Sequence, residues 1–225
     1  MRGYVIAGTM HTIELLAVRG WTVVFLVVAS ERWAWLDGTT ILVIATALVL
    51  IGMPTSMIGS EIGHRRGFAY TSALAMGCSA IACALVGFSI AAPFWIFALL
   101  VLLHNLCVLA DAGALNGGAA AVAAPGRRGA AITLMAFANA LGSMIGPVLF
   151  GFVLDVSGGR YEPMAWGFAF LTLSIPVLIG VFALDPGLRK PPAPACRPGR
   201  LSPRLAAPFP TCKPSPPRPP VAGGG

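Results

Sequence analysis

The chain is poor in charge. Of its 225 residues only 10% are Asp, Glu, Lys or Arg, against 57% hydrophobic, and the mean hydropathy is +0.83. A soluble domain usually carries about a quarter charged residues. With so few, polar groups cannot cover a globule of this size, which excludes an ordinary soluble fold and makes lipid the expected solvent. Acids are missing altogether after Pro186, where Arg189, Lys190, Arg197, Arg200, Arg204, Lys213 and Arg218 fall. Those basic residues account for the whole formal charge of +7. The charge therefore describes a tail, and nucleic acid is not an expected partner.

Metal-ligand spacing is missing too. Cys78, Cys83 and Cys107 lie in apolar runs, Cys196 and Cys212 lie in the tail, and no C-x-x-C pair or Cys/His cluster occurs along the chain. Small buried apolar residues is the expected role of the first three. No metal and no cofactor is expected. The apolar run after Met1-Arg2 lacks a clear small-x-small cleavage site and is interrupted by His11, Glu14 and Arg19, so it is expected to be a retained span rather than a signal peptide.

What the sequence has in quantity is long apolar runs. A bilayer requires roughly 20 mostly apolar residues per spanning helix. Residues 4–29, 39–58, 69–88, 93–119, 130–153 and 164–184 meet that requirement. They must be helices, because backbone polar groups in hydrocarbon have to be satisfied within their own segment. The predicted fold class is all-α, a polytopic membrane bundle of six transmembrane helices over residues 1–185. The connections are short and polar, including a loop over 59–67, so neighbours in sequence form up-and-down hairpins. From 186 to 225 the composition turns to Pro, Arg, Ala and Gly. A disordered basic tail with some polyproline II is predicted there, either adhering to an anionic leaflet or unselected.

Orientation follows from the distribution of basic residues. One side holds Arg2, Arg65, Arg66, Arg127, Arg128, Arg189 and Lys190; the other holds Arg32 and Arg160 beside Glu31, Asp37, Asp155 and Glu162. A multi-pass protein of the cell inner (plasma) membrane with both termini cytoplasmic is expected.

Charges inside the spans are costly and point to function. The first span holds His11, Glu14 and Arg19. At about 100° per residue His11 and Glu14 share one face, while Arg19 lies about 7.5 Å further along and is turned elsewhere. The fourth span holds His104, Asn105, Asp111 and Asn116. His104 and Asp111 share a face and could relay a proton; alternatively Asp111, read as near the cytoplasmic end, pairs with Arg127, Arg128 or the Arg65/Arg66 loop as a gate. His11, Glu14, Arg19, His104 and Asn105 are thus candidates for a substrate or proton pathway. In the fifth span Gly142, Gly146, Pro147 and Gly151 mark close helix packing.

Gly59-Ser60-Glu61-Ile62-Gly63-His64-Arg65-Arg66-Gly67 resembles the cytoplasmic signature of the major facilitator superfamily, in which a Gly, an acid and several basic residues connect the second and third helices of each half. Here Glu61 stands one place beyond the usual Asp position, which Ser60 occupies. Asp111 is similar to the acidic partner near the end of the fourth helix, and Gly142 through Gly151 resembles the glycine-proline motif of the fifth and eleventh helices. The first span looks like the seventh helix of certain bacterial members. The resemblance implies the C-terminal six-helix half of a secondary transporter. Gly59, Glu61, Gly63, Arg65, Arg66 and Asp111 would form its cytoplasmic gate, and a small solute would cross by alternating access between two halves.

Expected partners are the lipid bilayer, a small-molecule solute, and a second six-helix half or a second copy. Transport, proton-coupled through Glu14, Asp111 and the histidines, is expected rather than catalysis. A truncated, non-transporting remnant is the alternative. An intramembrane protease would need a serine in a Gly-x-Ser-x-Gly-like setting; Gly142-Ser143 lacks the flanking pattern, and the sixth span has no histidine.

Overall fold

The computed structural model describes residues 1–184 except Ala34 and Pro125; the predicted tail over 186–225 lies outside the described residues. Among those described, six helices are long and apolar enough to cross a membrane, and the chain is a multi-pass helical membrane protein. They are α1 (Arg2–Ser30), α2 (Gly38–Arg66), α3 (Phe68–Phe88), α4 (Phe94–Val122), α5 (Arg128–Val156) and α6 (Pro163–Ala183), with a 3₁₀ turn at Ser89–Ala91.

Local chemistry sets the ends. Asp37 caps α2 by accepting the Thr40 N–H at 2.8 Å. Pro163 opens α6 as its first residue, where a missing N–H costs nothing. The largest departure from the sequence reading is the loop over 59–67. Gly59 through Arg66 continue α2 as helix, and the turn shrinks to Gly67, whose φ of 97° suits glycine alone. Two effects favour the helix that far. Glu61 and Arg65 form an i,i+4 pair at 2.7 Å, and Arg65 and Arg66 supply positive charge at the negative end of the helix dipole.

The helices pack as two interlocked threes. α1 lies mainly against α5 and α6, α4 mainly against α2 and α3, α3 against α6, and α1 also meets α4. Exchanging α1 with α4, α2 with α5 and α3 with α6 maps this pattern onto itself. Glycines make the tightest crossings. A Cβ on Gly146 would collide with the Ile13 carbonyl and one on Gly142 would press on the Thr9 carbonyl, both on α1. In the matching place, Gly59 of α2 abuts the Ala110 carbonyl and Gly113 of α4 the Ser56 carbonyl. Backbones that approach this closely gain dispersion and excluded lipid instead of side-chain burial. α3 and α6 are the most buried helices, α2 and α5 the least.

Two apolar clusters hold the bundle. Toward one end Phe25, Phe97, Phe150, Trp166 and Phe170 interlock, with Phe25 ring centroids 5.0 Å from both Trp166 and Phe170. Toward the other end Tyr4, Met76, Leu115, Met135 and Val177 form a second cluster. The polar residues of α1 and α4 lie between them along the chain.

Candidate functional site

Between the apolar clusters, α1 contributes His11 and Glu14, α3 contributes Ser79 and Cys83, and α4 contributes His104 and Asp111, all buried. His104 Nε2 lies 3.1 Å from Glu14 Oε1, and the Ser79 hydroxyl donates to the same oxygen at 2.9 Å. His11 Nδ1 lies 3.0 Å from Asp111 Oδ1, close enough to pair as ions but off the line a hydrogen bond needs. The two contacts cross. Each helix supplies one imidazole and one carboxylate, and each imidazole meets the other helix's carboxylate.

Helical spacing makes this possible, since His11 and Glu14 share one face of α1, and His104 and Asp111 share one face of α4. A buried carboxylate is costly unless paired. An imidazole–carboxylate pair sharing one proton is neutral overall; a second proton would leave a buried cation, and loss of the proton a buried anion. Burial therefore favours the neutral arrangement of each pair. Among the described residues, Glu14 Oε2 and Asp111 Oδ2 have no hydrogen-bond partner, so each carboxylate retains a free acceptor.

Asp111 is placed differently from the sequence expectation. It lies about 16 Å along the helix axis from Val122, the last residue of α4, and it pairs with His11. It makes no ion pair with Arg127, Arg128, Arg65 or Arg66 among the described residues. The reason is tertiary: α1 packs against α4 and brings the His11 imidazole to the Asp111 carboxylate. Arg65 and Glu61 are exposed and bonded to each other, Arg66 is exposed, and Gly59 and Gly63 are buried in α2 against Ala110 and Phe68. The signature residues thus lie along one helix end, apart from Asp111's carboxylate.

Arg19 and Asn105 stand on a neighbouring feature, a cavity of about 400 Å³ walled chiefly by α1, α2 and α4. His104 also lines it, so the cavity reaches the crossed pairs through that imidazole. Asn105 Nδ2 donates to the Leu48 carbonyl at 2.7 Å, tying α4 to α2 a turn and a half before Pro54. Pro147 accepts the Trp21 indole N–H on its carbonyl at 3.1 Å, and Gly151 leaves room for that ring.

Ser79 and Cys83 were not readable as site residues. They lie four apart on α3, which is a helical face, but small polar residues are common in apolar spans and their spacing alone carries no chemistry. In space the Cys83 thiol joins Glu14 and His104 with donor atoms within 4.8 Å of one another, a grouping absent from the linear spacing because three helices supply it. Such donors suit a zinc-class ion, but here Glu14 and His104 are closed on each other and the thiol donates to the Phe170 carbonyl at 3.4 Å.

Comparison with protein-family models, curated proteins and solved structures finds no match for the chain.

Proposed function

We propose that this six-helix unit is half of a secondary transporter of the major facilitator type, moving a small solute by alternating access and coupling that movement to protons. The reading is carried by the crossed His11–Asp111 and His104–Glu14 contacts, buried where α1 meets α4 and beside a cavity. Buried titratable groups at mid-membrane are expensive, and proton relays are one of the few roles that repay them. Support also comes from the packing pattern, in which the first three helices exchange with the last three, as expected of a half built from two inverted three-helix repeats. Arg2, Arg65, Arg66, Arg127 and Arg128 favour a cytoplasmic face for both ends of the unit in the cell inner membrane.

Alternating access needs a second six-helix unit, either a separate chain or a second copy. Native mass spectrometry of the chain in nanodiscs tests this, with a stable dimer expected where the second copy completes the carrier. In proteoliposomes of the working assembly, an imposed proton gradient drives solute movement, and Glu14→Gln and Asp111→Asn each slow it. Unchanged coupling in both variants overturns the reading.

A further inference from the structure

The cavity wall contains an uncompensated charge. Arg19 lies about 5 Å from the midpoint of the 29-residue α1, well inside a hydrocarbon layer about 30 Å thick. A guanidinium is a strong base that carries a permanent charge in proteins. Among the described residues the ion pairs are His11–Asp111, His104–Glu14 and Arg65–Glu61, so no acid neutralises Arg19. The residues lining the cavity include no Asp or Glu. Both buried acids nearby are already engaged by histidines. An arginine exposed at this depth is costly unless something supplies the counter-charge.

We infer that the cavity binds a small organic anion, whose acidic group pairs with Arg19 and whose apolar body fills the remaining wall. A volume of about 400 Å³ falls within the range of small-ligand sites, which combine a mostly apolar lining with a few placed polar groups. Here Phe25, Phe170 and aliphatic side chains, chiefly of α1, α2 and α4, form the lining, and Arg19, Asn105, His104 and the hydroxyls of Thr22 and Thr46 are the polar groups. Asn105 spends one amide hydrogen on the Leu48 carbonyl and keeps the second. Arg19 presents a planar fork that matches a carboxylate or phosphate edge. A cation would meet repulsion on this wall, and a neutral solute would leave the guanidinium unpaired. The inference deepens the transport reading by naming the cargo class, but binding stands apart from turnover.

The test uses the full chain in nanodiscs of neutral phosphatidylcholine, titrated by calorimetry with 4-phenylbutyrate and with its neutral isostere 4-phenylbutanamide. The acid is expected to bind at least tenfold more tightly than the amide. Arg19→Gln is expected to weaken the acid tenfold or more, and Arg19→Lys to restore part of that loss. Arg19→Gln is expected to keep the fold, because it removes a costly charge, and its melting curve checks this. Phosphatidylglycerol added to the discs separates two sources of the same chemistry: displacement of the acid assigns the site to an anionic lipid, and its absence to a free anion. Equal affinity for acid and amide, no saturable binding of the acid, or full affinity in Arg19→Gln overturns the inference. So does loss of a native dimer in Arg19→Gln without acid binding in the wild type, because the counter-charge then belongs to the second copy. A failed transport assay alongside intact Arg19-dependent binding would instead count against the transport reading alone.

Discussion

Glu14 and His104 are 90 positions apart in sequence, yet His104 Nε2 and Glu14 Oε1 meet at 3.1 Å with both side chains buried. Removing one member strands the other's charge in a low-dielectric interior, and that penalty exceeds the net value of the pair itself. His104→Ala is therefore expected to destabilise the bundle by about 3–5 kcal/mol. The double change Glu14→Gln/His104→Ala is expected to cost less than the sum of the singles. Unfolding in mixed micelles measures the cycle, and additivity would mean the two residues do not act as a pair.

A second expectation concerns two glycines of opposite setting. Gly146 of α5 faces the Ile13 carbonyl of α1 with no room for a Cβ, whereas Gly20 of α1 has nothing within 4 Å. Gly146→Ala should separate α1 from α5 and lower stability by about 1–3 kcal/mol. Gly20→Ala should be neutral or stabilising by up to about 1 kcal/mol, because alanine loses less backbone entropy in a helix. Melting temperatures of the two variants decide it; equal melting would place the α1–α5 contact elsewhere.

Most of the fold was readable because membrane spans announce themselves by length and apolarity alone. All six spans read from sequence overlap the observed helices. The end of α2 was misread for a physical reason: Gly59 and Gly63 look like loop residues, but they serve as contact surfaces inside a helix. The site was half readable. His11 with Glu14, and His104 with Asp111, could be placed on common faces from their spacing. Their crossed pairing could not, since it depends on which helices touch and at what depth. Ser79 and Cys83 stayed hidden because neither residue type is unusual in an apolar span.

Acid stability should depend on the cap of α2. The Asp37 carboxylate accepts the Thr40 N–H at 2.8 Å, and this bond holds its pKa below the ordinary aspartate range. A depressed folded pKa contributes stability that is present above the unfolded value of about 3.9 and is lost as pH falls through the folded value. Asn also caps helices but does not titrate in this range. Asp37→Asn is thus expected to match the wild type at neutral pH and to lack this part of the acid decline, while Asp37→Ala melts lower even at neutral pH. Thermal melts from pH 7 to 2 make the comparison, and identical acid limbs for Asp37→Asn and the wild type would dismiss the cap's role.

Trp21 provides the last expectation. Its indole N–H donates to the Pro147 carbonyl at 3.1 Å, its ring stacks on Phe150 with centroids 5.5 Å apart, and a Cβ on Gly151 would come within 2.8 Å of its Cζ2. Trp21→Phe keeps an apolar ring but deletes the donor, which should cost about 0.5–1.5 kcal/mol. Gly151→Ala should also destabilise, because the indole edge occupies the space of the new methyl. Phenylalanine lacks that edge, so Trp21→Phe should relieve the Gly151→Ala clash, and the double variant should be more stable than the two losses added together. The cycle, measured by thermal unfolding in one detergent, reads the contact between α1 and α5 directly. Strict additivity would show that the Trp21 ring does not occupy the notch at Gly151.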